Sequence, residues 1–197
     1  MTARVARDFA FDAGVHTDNT FIINHYEITL HIDVYSDDVR EQNIALERIK
    51  YIIEGCLENS VMVNESLPNA IAAYQSAGLR VCALPDEPYD QIVAAVLISK
   101  INAVTEEKIA VTEINIVSKI CDGVSFFISQ EEVSSFTQKQ GVWWTENSPS
   151  ICSPVKKEKT KVVNLRKDGP GWAELGLTWK DQGVSNNEIT FSPVDKA

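Results

Sequence analysis

Two of the three histidines in this chain lie nine residues apart, His16 at the end of "RDFAFDAGVH" and His25 inside "FIINHYEITLHIDVYS". Two imidazoles this close in sequence raise the question of a metal site. The same stretch also reads as a solvent-facing first strand that ends in a histidine. His25 and His31 are six apart in one extended run, so they share a face but stand roughly 20 Å from each other, too far for one metal. A second chemistry-bearing group is "LPDEPYDQI", where Asp86, Glu87 and Asp90 fall at the start of a helical pattern. Carboxylates there can accept charge-assisted hydrogen bonds. They also suit the positive end of the helix dipole without any ligand.

The four cysteines, Cys56, Cys82, Cys121 and Cys152, include no C-x-x-C pair. A zinc ribbon is therefore not expected, and each cysteine reads as a buried free thiol in a reducing compartment.

The elements that must position these residues follow from periodicity. "RVARDFAFDA" and residues 21 to 36 alternate apolar and polar positions, so they predict an antiparallel hairpin. "VREQNIALERIKYIIEGCLENS" places Ile44, Ile49, Ile52, Ile53 and Leu57 on one helical face, with Asp37 or Asp38 as N-cap. "VMVNES" reads as a short strand or a helix tail, and "LPNAIAAYQSAG" as a helical turn closed by Gly78. "LRVCALP" is a short apolar strand stopped by Pro85. "DEPYDQIVAAVLISKINAVTE" predicts a second long helix with Pro88 near its start, where proline is tolerated. "VTEINIVSKI" and "GVSFFIS" are two strands joined by a turn at "CDG". This order predicts an α+β fold in which two helices pack on one face of a four-stranded antiparallel sheet.

From about residue 131 the periodicity stops, so residues 1–130 read as the α+β domain and 131–197 as an extended C-terminal arm. Residues 156 to 167 hold six basic side chains, Lys156, Lys157, Lys159, Lys161, Arg166 and Lys167, against Glu158 alone. That +5 segment leaves −15 on the rest of a chain whose net charge is −10. All four tryptophans, Trp143, Trp144, Trp172 and Trp179, lie in the same region. Tryptophans in a segment without its own core anchor it to another surface, which makes them candidate partner-binding residues, the partner being a neighbouring subunit, another protein or the chain's own body.

Composition narrows the classes. At 197 residues and 44% hydrophobic, the chain can bury a real core. Its acidity argues against nucleic-acid binding through the whole surface. No apolar run approaches the roughly 18 residues that cross a bilayer, and "MTARVARDF" lacks a signal-peptide apolar region. A cytoplasmic protein without a membrane partner is expected.

The element order over about residues 4 to 128 resembles the T-fold of the 6-pyruvoyl and 6-carboxy tetrahydropterin synthases. Their first-strand pattern F-x-F-x-A-A-H is matched by "FAFDAGVH", with Phe9, Phe11, Asp12, Ala13 and His16 and one extra residue before the histidine. The resemblance implies a zinc site in which His16 is joined by two histidines of an H-G-H motif. In "IINHY" those two places fall on Ile22 and Asn24, and His25 stands one residue off, on the other face unless a bulge restores it. His16 and His25 are thus the candidate metal ligands. The family's cysteine before that motif has no counterpart, since Cys56 is the first cysteine. The family's ring-anchoring acid at the start of the second helix is matched by Asp90 and Gln91, with Glu87 as an alternative one turn earlier.

Three readings follow. The first is an oligomeric T-fold relative without zinc catalysis, which either binds a pterin- or purine-like ring between subunits through Glu87, Asp90 and Gln91 or serves as a building block. The second is a non-enzymatic assembly protein that docks through its arm; "LPDEPYDQI" with "GVWW" resembles uncharacterised proteins of large tailed phages. The third is a zinc-dependent synthase. No cofactor is expected under the first two readings, and zinc under the third.

Overall fold

Residues 3–17, 20–133, 142–152 and 169–179 are described by the computed structural model. The strands are β1 (Ala3–Thr17), β2 (Thr20–Val34), β3 (Val61–Asn64), β4 (Val81–Leu84), β5 (Ile109–Ser118) and β6 (Ser125–Ser129). The α-helices are α1 (Val39–Lys50), α2 (Pro68–Ser76), α3 (Asp90–Thr105) and the single turn α4 (Gln130–Val133). Asp38 caps α1 by accepting the Arg40 N–H at 2.8 Å. The expected helix over 39–60 changes character midway, because Tyr51–Leu57 continues α1 as a π-helical segment.

β1 and β2 pair antiparallel from Ala3 opposite Val34 to Thr17 opposite Thr20. Their alternation buries Phe9, Phe11, Ala13 and Val15 of β1 and Tyr26, Ile28, Leu30 and Ile32 of β2. These residues meet α1 and α3 in the main core. β5 adds antiparallel to β2 with a bulge at His31 and Ile32, and β6 adds antiparallel to β5.

The expected four-stranded antiparallel sheet with two helices is corrected here. The sheet has six strands in the order β4-β3-β1-β2-β5-β6 and is mixed, because β3 runs parallel to β1 and β4 parallel to β3. The reason lies in "VMVN" and "VCAL", whose continuous apolar character marks strands covered on both faces, the usual state of parallel strands. Met62, Cys82 and Leu84 face the main core, whereas Val61, Val63 and Val81 pack beneath Leu67, Ile71 and Tyr74 of and beside α2. A parallel pair needs a long crossover, and α2 supplies it. α2 therefore lies on the opposite face of the sheet from α1 and α3.

In its described parts the C-terminal region lies as a cover over the helices and the β4 edge. Trp143 and Trp144 are buried, with rings edge-to-face at 5.7 Å. The buried Lys100 of α3 donates to the carbonyls of Trp143 (2.8 Å) and Glu146 (2.9 Å). Arg48 of α1 stacks under Trp172 at 4.6 Å and Trp179 at 3.9 Å, and donates to Glu106 at 2.8 Å. Burial pushes the Glu106 carboxyl up, but bonds from Trp179, Arg48 and Asn147 outweigh it and hold the group below its ordinary value. The basic run at 156–167 lies outside the described residues. Among the described residues no helix is long and apolar enough to cross a membrane.

Candidate functional site

The loop between β4 and α3 is shaped by its own sequence. Pro85 ends β4, the Asp86 carboxylate accepts the Glu87 N–H at 2.8 Å, and Pro88 is buried. Asp90 then opens α3, where a carboxylate faces the positive end of the helix dipole. Unlike an ordinary surface cap, Asp90 is only 2% exposed. Among the described residues its buried Oδ2 atom has no hydrogen-bond partner.

Asp90 looks onto the polar end of β2. Tyr26 is fully buried, stacked on Phe11 at 4.9 Å, and its hydroxyl completes no hydrogen bond among the described residues. Burial drives the phenol well above its ordinary pKa, and the nearby Asp90 charge raises it further. Tyr26 is therefore a neutral donor at physiological pH. Asn24 is also fully buried; its Oδ1 accepts the Ile120 N–H at 3.1 Å, while Nδ2 lies beside the Tyr26 hydroxyl without completing a bond. The Cys121 thiol, raised first by burial, faces Asp90 from the β5–β6 turn. Glu87 accepts from Asn64 through Oε1 at 3.0 Å, and its Oε2 is buried and unpartnered.

Six buried side-chain polar atoms lack a partner among the described residues, and four of them belong to Asn24, Tyr26, Glu87 and Asp90. An unmet buried polar group costs about 1–3 kcal/mol, so these four atoms make the head of α3 and the end of β2 the candidate binding region. Two are acceptors, Glu87 Oε2 and Asp90 Oδ2. Two are donors, Tyr26 OH and Asn24 Nδ2.

Of the residues expected at this site, Glu87 and Asp90 take part, whereas Gln91 is exposed on the next helical position. The sequence marks Asn24 only as a replaced histidine and Cys121 only as a thiol, and gives Tyr26 no role beyond its strand. The signal was in the alternation: Asn24 shares the parity of Tyr26, Ile28, Leu30 and Ile32, which places a carboxamide on a core-facing position.

The histidines lie on the other face. His25 pairs with Asp12 at 2.7 Å, and His16 Nδ1 contacts the Tyr74 hydroxyl of α2 at 3.0 Å. The register sets His25 opposite Asp12 and His16 opposite Phe21. Four positions along a hairpin separate them by roughly 13 Å, so the pair does not fit one zinc ion. Among the described residues no group of three or more His, Cys, Asp or Glu side chains is placed to hold a metal. All four cysteines are free, but only Cys56 and Cys82 are buried; Cys121 is half-buried and Cys152 exposed. Of the surfaces open to the tryptophans, Trp143, Trp144, Trp172 and Trp179 meet the chain's own body, as described above.

No known protein family matches the sequence, and no curated protein matches it. Among solved structures, an uncharacterised protein from Wolinella succinogenes is similar with a TM-score of 0.47 and 8% identity, over 66% of this chain and 99% of that one.

Proposed function

We propose that this protein binds a small flat molecule with an N–H-rich edge, the class to which pterins and purines belong, at the head of α3. The observation that carries the reading is the set of four unpartnered buried atoms on Asn24, Tyr26, Glu87 and Asp90. Glu87 and Asp90 would accept two ring N–H groups, while Tyr26 and Asn24 would donate to an adjacent ring carbonyl or nitrogen. Such an amide-amidine edge offers the donors that two carboxylate acceptors take and the acceptors that two donors take, and charge-assisted bonds to carboxylates are the strong kind. Access requires the loop around the exposed Tyr89 to lift.

Thermal unfolding in the presence of pteridines and purines tests this. A ligand at a hundred times its Kd stabilises by about 2.7 kcal/mol, a shift of several degrees, and Asp90→Asn should remove it. If no ring at millimolar concentration raises the midpoint, the cluster holds only water and the reading is wrong. The reading also involves no stoichiometric zinc. Elemental analysis that found a zinc in every chain, lost on His16→Ala, would contradict it.

A second reading, a non-enzymatic building block, is favoured by the unequal edges of the sheet. Side chains of the C-terminal region close the β4 edge, since Cys152 Sγ donates to the Val81 carbonyl at 3.4 Å and Trp143 Nε1 to the Ala83 carbonyl at 2.8 Å. The β6 edge has no such cover among the described residues.

A further inference from the structure

The two outer strands of the sheet face opposite fates. Along β4, the carbonyls of Arg80 and Leu84 turn inward and accept from Val61 and Glu65 of the β3 side. The carbonyls of Val81 and Ala83 therefore turn outward, and both are occupied, by Cys152 and Trp143. A strand cannot add to that edge without first displacing the chain's own tryptophan.

The orientation of β6 follows from a hydrogen bond two strands away. Lys119 N–H donates to His25 O at 3.2 Å, so the odd-numbered residues at this end of β5 turn their backbone groups toward β2. The even ones, Ile114 and Ile116, turn toward β6, where they stand opposite Ile128 and Phe126. Ser125, Phe127 and Ser129 must then direct their N–H and C=O groups away from the sheet. Among these, the Ser129 N–H is capped by the Glu132 carboxylate at 2.8 Å.

Edge strands are normally protected by lysine, proline, an inward charge or a covering segment. β6 reads Ser-Phe-Phe-Ile-Ser, with no charge and no proline. The pattern is self-complementary in the antiparallel sense. Turned about Phe127, Ser125 meets Ser129, Phe126 meets Ile128, and Phe127 meets its own copy. Phe126 and Ile128 already pack on the helix-side core, while Phe127 is 61% exposed on the open face. Exposed Ile120 and Val124 lie in the turn that leads into the strand.

We propose that β6 is an interface between two copies of this chain, paired antiparallel about a two-fold axis through Phe127, so that the two six-stranded sheets become one. The two Phe127 residues exchange N–H···O=C bonds across the axis, and each Ser125 N–H reaches the partner's Ser129 carbonyl while Glu132 keeps its cap. Phe126 stacks over Ile128 of the partner subunit on the helix side, and the two Phe127 rings meet on the open side, pairs of the kind that stabilise antiparallel sheets. The closed β4 edge prevents head-to-tail growth, so the assembly stops at two. This interface is independent of the ligand reading.

Light scattering of the full chain at micromolar concentration should give twice the 21.9 kDa chain mass. Phe127→Lys, at an exposed position that the fold does not need, should weaken association at least tenfold while circular dichroism and the unfolding midpoint stay unchanged. Register is read in a background with Cys121 and Cys152 changed to serine, using a short thiol cross-linker. Phe127→Cys should link to itself, and Ser125→Cys should link to Ser129→Cys in a mixture more than to itself. A monomeric wild type, a Phe127→Lys chain that still dimerises, or self-linking of Ser125→Cys equal to that of Phe127→Cys would each overturn the proposal.

Discussion

The two ends of α3 bury polar groups in opposite ways. Toward its C-terminal end, Lys100 gives two hydrogen bonds to carbonyls, and Arg48 reaches the Val104, Leu177 and Glu106 oxygens between two tryptophan rings. Around its N-terminal end, Asp90, Glu87, Tyr26 and Asn24 each keep one buried polar atom without a partner among the described residues. Both regions are out of water, so both bear the cost of dehydrating polar atoms. Among the described residues only the first recovers it. The contrast separates polar burial that builds the fold from polar burial that waits for something else.

The largest expected effect is at the satisfied end. Trp143→Ala removes a buried indole and its bond to Ala83, and should destabilise by about 3–5 kcal/mol in urea unfolding. A loss below about 1 kcal/mol would mean the C-terminal cover is not part of the cooperative fold. Arg48→Met keeps much of the stem but strands three carbonyl or carboxylate acceptors, and about 2–4 kcal/mol should be lost.

A pH comparison sharpens the same point. Burial pulls the Lys100 ammonium down to about 8, below its ordinary value of 10.5. The folded state therefore holds fewer protons than the unfolded one between those values, and Lys100 contributes a rise in stability as pH climbs from about 8 to 10.5. Relative to Lys100→Met, the wild type should gain stability across that window. A constant difference between the two proteins would mean that the amine stays charged. The buried Tyr26 and Cys82 groups, both raised, act in the opposite sense at higher pH, which is why the comparison is made between proteins that share them.

The smallest expected effect is at the unsatisfied end. Tyr26→Phe deletes a hydroxyl that makes no bond, so the free protein should change by less than about 1 kcal/mol, in either direction. A loss of about 3 kcal/mol would show that the hydroxyl is already employed and would erase the contrast.

What could be read before the structure follows the range of the physics. The hairpin, α1 and α3 rest on local periodicity and were legible. The mixed sheet was not, because four-residue apolar runs such as "VMVN" and "VCAL" carry no period that distinguishes an isolated strand from a paired parallel one. Glu87 and Asp90 were visible as acids at a helix start, yet only the fold shows that Asp90 is buried while Gln91 is not. Asn24 was noticed for the histidine it might replace; its parity along β2 was the better clue. The clustering of the tryptophans outside any periodic element does not say which surface they meet, and Arg48 and Lys100 look like ordinary helix-surface cations until the cover is placed over them.

The most direct test of the central contrast is the side-chain amide region of a nitrogen-15 NMR spectrum, recorded while a pteridine or purine is added. Asn24 Nδ2 is unpartnered at the head of α3, whereas Asn147 Nδ2 is already bonded to Glu106 beneath Trp179. The account predicts that a binding ring shifts the Asn24 amide protons downfield and leaves those of Asn147 in place. Shifts at Asn147 with none at Asn24, or no shift at either with every ring tried, would contradict it.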